Sequence, residues 1–341
     1  MQLSVFTGNL AVLLLACSCC VNLQAQVLWQ NVDSSFGSLP NGFHVYKTTD
    51  SLDGKPFIAY YAIVDLKNKK LEFSTDTTSK RRLTPAGFYQ KSGQPLLVVN
   101  TTFFSFATNQ NLNMVLQKGK LVSYNVHSLA MRGKDTLQYR HPFASAIGIS
   151  RKRKADVAWT FTDSAAKSPH AFQKVVPPIK DSLSFLSLKK ATIYSDSIFD
   201  DDYKGMKGQT PALTKWKMQT AVGGGPVLVQ NGEVKITNNE ELKFAGKAIN
   251  DLHPRTLMGY TKDDKLIVMV IEGRNAGLAV GASLVQAAQL MVSLGCEEAL
   301  NLDGGGSSCM LVNGKQTIQP SDKGLQRAVP AVFIVRQKER R

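Results

Sequence analysis

Charged side chains follow two buried-type strands in the C-terminal third of the sequence. The apolar run 266–271 ends in Glu272 and Arg274, and the apolar run 299–302 ends in Asp303. A carboxylate or a guanidinium at the end of a buried strand is costly unless it is paired or functional. Residues two apart on a strand share a face, so we expect Glu272 and Arg274 to line one wall of a cavity. Such carboxylates could supply acid–base or nucleophilic catalysis.

Two glycine triplets and a second arginine would add anion binding to this cleft. The triplets occupy positions 223–225 and 304–306, and successive glycine N–H groups can turn toward one phosphate or oxyanion. The further residues predicted to hold such an anion are Gly224, Gly225, Arg255, Gly304, Gly305, Gly306 and Ser307. Two alternatives stay open, namely tight turns between strands and an Arg–carboxylate network that only stabilises the fold. Neither triplet has the spacing of a Walker A loop or of a dinucleotide-binding motif.

Other titratable residues give weaker predictions. His253 could assist a proton transfer or contact phosphate, or it could be a capped turn residue. His127 and His141 are isolated in the sequence, and we interpret both as structural. The acidic triplet 200–202 offers oxygen ligands for a divalent cation, but it lacks the spacing of a calcium loop and is interpreted as a solvated turn. With no zinc pattern and no G-x-S-x-G elbow, we expect no cofactor and no serine-hydrolase chemistry.

Hairpin and helix signals indicate an α+β fold built on a β-rich mixed sheet with few helices. Asn-Gly turns and similar signals between apolar runs are typical of hairpins. Hairpins are predicted over 114–122, 227–236, 259–271 and 310–318. Ser283 and Gln286 form a capping box before apolar residues at helical spacing, so a helix should follow them and end near Gly295. A shorter helix is predicted over 85–92.

The chain is predicted to be one elaborated domain behind a leader. Residues 1–25 carry no charged side chain and contain an apolar run too short to span a bilayer, as in a cleaved signal peptide. Cys17 offers an alternative, as the site of a lipid anchor. Residues 26–95 are interpreted as an N-terminal β-rich segment, and 96–341 as the main part of the domain, with a surface insertion at about 151–217. The leader predicts an extracytoplasmic location, whether periplasmic, secreted or anchored at the cell surface.

Composition and charge limit the remaining classes. Of 341 residues, 43% are hydrophobic, which excludes a disordered chain. The 41 Lys and Arg residues outnumber the 26 Asp and Glu residues and give a formal charge of +15, so an anionic partner is expected. Nucleic acid is one alternative, suggested by the basic run 151–154, but no recognition helix or base-stacking motif accompanies it. Cys296 and Cys309 are interpreted as buried thiols.

The ordered C-terminal motifs resemble the phosphodiester glycosidase family over about residues 96–335. They are Asn301-Leu-Asp-Gly-Gly-Gly-Ser-Ser, Glu272-Gly-Arg, Pro254-Arg-Thr and Gly223-Gly-Gly-Pro-Val-Leu-Val. Asn100 stands where the family tends to have Asn-Gly-Gly, here followed by Thr-Thr-Phe-Phe, and Glu272 stands where the family usually has Asp. The resemblance implies site roles for Asn100 and Asn301 beside Asp303.

What the resemblance implies is a hydrolase that cleaves a sugar-1-phosphodiester at the glycosidic bond, with an N-acetylglucosamine-1-phosphodiester-like glycan as the model substrate. Asp303 first and Glu272 second are expected to act as base or nucleophile. Arg255 and Arg274, with the second glycine loop, would hold the phosphate charge. The alternative from another class is a non-catalytic surface module that binds phosphorylated or acidic glycans. In either case the expected partner is a phosphorylated glycan and not a nucleic acid.

Overall fold

The structure, a computed structural model, describes four stretches of the chain, which are residues 27–131, 136–164, 168–180 and 213–338. The predicted leader, with Cys17, and the acidic triplet 200–202 lie outside the described residues. No helix in the described stretches is long and apolar enough to cross a membrane.

The largest sheet in the described part of the chain has eight antiparallel strands. In spatial order they are β1 (Gln30–Asn31), β2 (Phe43–Thr48), β5 (Ala59–Asp65), β21 (Lys265–Ile271), β20 (Arg255–Thr261), β22 (Cys296–Asn301), β18 (Val227–Gln230) and β19 (Glu233–Val234). Strands β20 and β21 confirm the hairpin predicted over 259–271, and β18 and β19 confirm that over 227–236. The Asn231-Gly232 turn has the two positive φ angles, 55° and 77°, that a type I′ turn needs.

Two further antiparallel sheets pack against this one among the described residues. The seven-stranded sheet contains, in order, β16 (Thr214–Lys215), β14 (His170–Phe172), β13 (Ala155–Phe161), β12 (Ala144–Ile149), β17 (Thr220–Gly223), β8 (Val115–Gln117) and β9 (Lys120–Ser123). The five-stranded sheet contains β24 (Lys315–Gln316), β23 (Met310–Val312), β7 (Leu97–Asn100), β25 (Ala331–Gln337) and β6 (Leu71–Thr77). Two small sheets pair β10 (Leu129–Ala130), β11 (Tyr139–His141) and β15 (Ile179–Lys180), and β3 (Ser51–Leu52) with β4 (Lys55–Pro56). The hairpins predicted over 114–122 and 310–318 are confirmed here.

The helices described are α1 (Pro85–Lys91), α2 (Asn238–Glu241) and α3 (Leu284–Ser293). The predicted capping box of α3 is confirmed, since the Ser283 hydroxyl accepts from the Gln286 N–H and the Gln286 side chain accepts from the Ser283 N–H. Gly295 follows the helix with φ 77°, as predicted for its C-terminal end. Helix α1 confirms the prediction over 85–92.

The core lies on both faces of the eight-stranded sheet, which explains why the sequence of β21 is apolar without interruption. Val268 and Val270 face the core shared with the other two large sheets, while Ile267 and Met269 face helix α3. This arrangement confirms the predicted α+β, β-rich fold class. The pairing of the described strands is antiparallel rather than mixed, both in hairpins such as β20–β21 and between strands far apart in the sequence such as β7 and β23.

The predicted surface insertion at 151–217 is wrong for its first part. Strands β13 and β14 are both interior members of the seven-stranded sheet, and Trp159 and Phe172 are almost fully buried. The basic run 151–154 forms the turn that leads into β13, where Arg153 donates to backbone carbonyls and Lys154 pairs with Asp264. Because this charged turn is typical of a surface segment, the apolar strand that follows it was not predicted. Residues 181–212 of the predicted insertion lie outside the described residues.

Candidate active site

The ends of three strands meet at Asp303. Strand β22 ends just before it, and the Asp303 N–H donates to the Thr101 carbonyl over 2.7 Å at the end of β7. The Asn100 amide donates to the Asp303 carbonyl over 2.6 Å. The Asn100 side-chain oxygen accepts from the Thr256 hydroxyl of β20 over 2.9 Å and from the Cys309 N–H over 3.1 Å. Asn100 is fully buried, so it fixes the backbone of Asp303 from beneath rather than contacting a ligand.

The Asp303 carboxyl is the most perturbed acid of this region. Burial raises its pKa to about 7, against the opposing effects of the Ser307 hydroxyl, the Arg327 guanidinium and the Gly304 N–H. Its Oδ2 atom is buried without a hydrogen-bond partner. A carboxyl that titrates near neutral pH and keeps an oxygen unpartnered is suited to acid–base chemistry on a ligand.

Buried polar atoms without a partner collect around Asp303. Each belongs to Asp303 itself or to a residue that a hydrogen bond connects to the backbone of Asp303 or of the first glycine triplet. They are Thr101 Oγ1, Asn113 Oδ1, Asn301 Oδ1 and Asp303 Oδ2. Because buried polar groups are normally satisfied, such a cluster indicates the place where a polar ligand would complete the hydrogen bonds. Asn301, for which the resemblance implies a site role, contributes one of these atoms.

The second glycine triplet forms a short 3₁₀ turn over Gly305–Ser307. Its backbone offers fewer donors than predicted, because the Gly305 N–H donates to the Pro254 carbonyl over 2.8 Å and the Ser307 N–H to the Gly304 carbonyl over 3.2 Å. The Gly304 N–H acts on the Asp303 carboxyl. The prediction that successive N–H groups of this turn hold a phosphate is therefore corrected, since those of Gly305 and Ser307 already donate to backbone carbonyls. The absence of side chains on its glycines instead leaves room for side chains from neighbouring loops.

Two guanidinium groups occupy that room. A Cβ atom at Gly305 would lie 3.2 Å from both terminal nitrogens of Arg274, and one at Gly306 would overlap a terminal nitrogen of Arg327. The Arg327 Nε donates to Asp322 over 2.8 Å, and among the described residues its terminal nitrogens have no hydrogen-bond acceptor. Arg274 and Arg327 therefore form an anion clamp over the glycine turn, next to Asp303.

Sequence reasoning missed Arg327. The rule that a charged residue beside a buried strand is paired or functional was applied only to residues that follow a strand. Arg327 instead lies shortly before β25 begins. Applied to strand starts, the same rule would have selected it.

Arg255 and His253 support the clamp from behind. Arg255 is almost fully buried, and it donates to the carbonyls of Ala282 and Asp251, each over 2.9 Å. Burial, and then the charge of Arg274, lower the pKa of Arg255 to about 10. Burial and the same two arginines lower the pKa of His253, whose Nδ1 lies 3.3 Å from an Arg274 nitrogen and so accepts a hydrogen bond. A neutral His253 therefore orients Arg274.

Glu272 is not brought into contact with Asp303. Its two oxygens accept from the Asn275 amide and from the Gln319 N–H, each over 3.0 Å. Nor does it share a strand face with Arg274, because β21 ends at Ile271 and Arg274 has a φ of 59°. The prediction of one cavity wall from both side chains is wrong. Glu272 instead ties the turn that carries Arg274 to the loop that leads to Arg327.

The first glycine triplet also has a role other than the predicted one. The N–H groups of Gly223, Gly224 and Gly225 donate to the carbonyls of Met114, Ser145 and Asn301 over 2.7 to 2.9 Å. None of the three is available to a phosphate in this arrangement. The glycines allow close approach of backbones, since a Cβ at Gly224 would lie 2.5 Å from the Asn301 carbonyl oxygen.

The remaining predicted features have structural surroundings. His127 accepts from the Thr162 N–H and stacks on Phe161, and the Ser128 hydroxyl contacts His141, as expected of structural histidines. Cys296 and Cys309 are buried free thiols, as predicted. In the described stretches no three His, Cys, Asp or Glu side chains are grouped so that they could hold a metal ion.

Comparison with known proteins identifies the family. The family model for phosphodiester glycosidase matches residues 93–336, which is most of the chain. The chain belongs to the phosphodiester glycosidase family. Membership supports a hydrolase, and every residue of the clamp and of the Asp303 cluster lies within the matched range.

Individual relatives are distant. The prophage-derived uncharacterized protein YomE of Bacillus subtilis (strain 168) is 38% identical over 81 residues, which are 24% of this chain and 12% of YomE. N-acetylglucosamine-1-phosphodiester alpha-N-acetylglucosaminidase of Bos taurus is 28% identical over 103 residues, which are 28% of this chain and 19% of that enzyme. The chain therefore matches less than a fifth of the length of either relative. The catalytic domain of the zebrafish enzyme of the same name, auto-inhibited by its pro-peptide, shares the fold, with a TM-score of 0.55 and 18% identity over 91% of this chain and 88% of that domain.

Proposed function

We propose that this phosphodiester glycosidase hydrolyses a sugar-1-phosphodiester of the N-acetylglucosamine-1-phosphodiester type at the glycosidic C–O bond. The observation that carries the proposal is the Asp303 carboxyl, titrating near pH 7 beside the two guanidinium groups of the clamp. Hydrolysis adds water across the bond, so that a free sugar and a phosphomonoester are released. Family membership and the enzyme activity named for the bovine relative support this substrate class.

In this mechanism Arg274 and Arg327 hold the phosphate as charge gathers on it. As the bond between C1 and the bridging oxygen breaks, that oxygen keeps the electron pair, and the phosphate becomes a dianionic monoester. Two preorganised guanidinium groups stabilise such a leaving group without protonating it. Ionised Asp303 acts on C1 from the other side, either taking a proton from the attacking water or bonding to C1 first. The anomeric configuration of the released sugar distinguishes the two routes, inversion for the first and retention for the second.

The test is sugar release from a panel of sugar-1-phosphodiesters. Wild type is expected to release free sugar, and Asp303→Asn to lose at least about a thousandfold in kcat. Arg274→Ala and Arg327→Ala should each lose about a hundredfold in kcat/KM. Arg151→Ala, which removes an arginine that bonds Gln219 just before β17, is the matched control and should keep full activity. Binding of the panel without turnover would replace the proposal with a non-catalytic glycan-binding module.

The pH dependence follows from Asp303. Its carboxyl must be ionised to act as base or nucleophile, and burial keeps it protonated until about pH 7. We expect kcat/KM to rise with pH and to level off above about pH 7. A profile that already levels off near pH 4, where an ordinary Asp ionises, would remove Asp303 from this role.

The proposed setting is outside the cytoplasm, where phosphorylated glycans are exposed to a secreted or anchored enzyme. It is supported by the apolar, uncharged residues 1–25. Detection of the mature protein in a periplasmic or culture fraction, with its N-terminus sequenced, tests it.

A further inference from the structure

An exposed aromatic ring lies at the rim of the clamp. Phe106 is 62% exposed, although its loop is held by two backbone hydrogen bonds of 2.9 Å, from Ser105 to Gln110 and from Asn109 to Ser105. The ring packs on Phe104, with ring centroids 4.8 Å apart. A large apolar side chain kept at the surface on a tied loop is suited to contact with a ligand.

Two arginines share this ring. The guanidinium carbon of Arg327 lies 5.3 Å from the Phe106 centroid, and that of Arg82 lies at the same distance. Arg82 also lies 5.2 Å from the Phe104 centroid. Cation–π contact on two rings fixes the plane of the Arg82 guanidinium before any ligand arrives.

Arg82 has no anionic partner in the described stretches of the chain. Among the residues that the structure describes, no carboxylate lies within 4.0 Å of it and no acceptor takes a hydrogen bond from it. Arg327, by comparison, is held by Asp322. Arg82 thus offers a full set of donors, preorganised and uncompensated, one aromatic ring away from the clamp.

The position of Arg82 relative to the reaction follows from the chain of contacts. Arg327 acts on Asp303 and covers Gly306, so it marks the scissile phosphate of the proposed reaction. Arg82 contacts the same Phe106 ring as Arg327, so this ring connects Arg82 to the clamp. A substrate held at the clamp would extend its phosphate-linked alcohol toward Phe106 and Arg82.

We propose that Arg82 and Phe106 form a subsite for a second anionic group, carried by the alcohol esterified to the scissile phosphate. The proposal rests on the function proposed above and narrows its substrate class to phosphodiesters of a sugar with an anionic alcohol. A phosphate or a carboxylate fits the planar guanidinium fork, and the test separates the two.

The kinetic test uses three substrates with the same sugar-1-phosphate, esterified to methanol, to 3-phosphopropanol or to 4-hydroxybutyrate. Wild type is expected to favour at least one of the charged alcohols over methanol by about tenfold in kcat/KM, through KM, as one charge-assisted contact would give. Arg82→Met keeps the apolar stem and should abolish that preference while leaving the methyl ester unaffected. Arg81→Met, at the exposed neighbouring arginine, is the matched control and should keep it. The charged substrate with the larger Arg82-dependent gain identifies the natural anion as phosphate or carboxylate.

A binding test needs no turnover and so separates this proposal from the proposed function. Calorimetry compares propane-1,3-diyl bisphosphate with propyl phosphate, neither of which has a glycosidic bond. The bisphosphate should bind wild type about tenfold more tightly, and Arg82→Met should remove the difference. Equal affinity of the two probes for wild type, or equal losses in Arg82→Met and Arg81→Met, would overturn the second-anion subsite.

Discussion

Folding and catalysis make opposite demands on the Asp303 carboxyl. An Asp in an unfolded chain titrates near pH 3.9, whereas burial raises the pKa of Asp303 to about 7. Between these values the folded state holds a proton that the unfolded state has lost. Stability therefore falls as pH rises from about 4 to about 7, and above that range the buried charge costs a few kcal/mol. The ionised form, which the proposed reaction needs, is the form that folding disfavours.

This conflict predicts a pH-dependent gain in stability for Asp303→Asn, which removes the charge but keeps the shape. Its Tm should exceed that of wild type by several degrees near pH 8 and by almost nothing near pH 4. Thermal unfolding across this range measures the difference, with exposed Asp251→Asn as control. A Tm difference that does not change with pH would contradict the raised pKa.

Glu272 illustrates how a carboxylate beside a site differs from one within it. Because it bonds both Asn275 and Gln319, Glu272→Gln places an amide N–H₂ against one of those donors and loosens the two clamp loops. We expect kcat/KM to fall about tenfold, with the rise toward pH 7 unchanged. Glu297→Gln, a carboxylate paired with Lys262 at the surface, should have no effect. A loss near a thousandfold together with a flattened pH profile would place Glu272 in the chemistry itself.

At the scale of elements, the glycine turn and the loop before β25 act together. Gly306 is not in the left-handed region, so Gly306→Ala leaves the backbone unstrained while its Cβ displaces the end of Arg327. We predict at least a tenfold loss of kcat/KM with little change in Tm. Gly305→Ala, at φ 61°, should lose about 1 kcal/mol of stability as well. Wild-type kinetics in Gly306→Ala would show that Arg327 is not needed where it lies.

Elements with local signals were predictable from sequence, and those with distant partners were not. Asn-Gly turns and the capping box of α3 act over a few residues, so the hairpins and the helix were found. Asp303 could be selected because its strand ends abruptly. The hydrogen bond between Glu272 and Gln319, and the placement of Arg274 and Arg327 beside the same glycine turn, depend on chain segments that only the packed sheets bring together. For the same reason, the N–H groups of the glycine triplets were predicted to bind an anion, although several of them already donate to neighbouring carbonyls.

At the scale of the whole molecule, the charge of +15 should act on encounter rather than on chemistry. With an anionic phosphodiester, KM is predicted to rise several-fold between low and about 0.5 M salt, while kcat stays constant. Steady-state kinetics across this series, with an uncharged aryl glycoside bound only through the sugar as control, tests the idea. A KM that does not change with salt would show that the overall positive charge does not contribute to substrate encounter and that only the clamp arginines act on the substrate.

The close contact at Gly224 connects the first glycine triplet to the strand that ends at Asp303. Its missing side chain sets how near the 223–225 turn lies to the Asn301 carbonyl, two residues before Asp303. A methyl group there would press on β22 and shift the carboxylate without touching any substrate. The geometry of the site therefore does not accept a side chain at position 224. In a collection of random variants, inactive proteins with normal expression should include substitutions at this position.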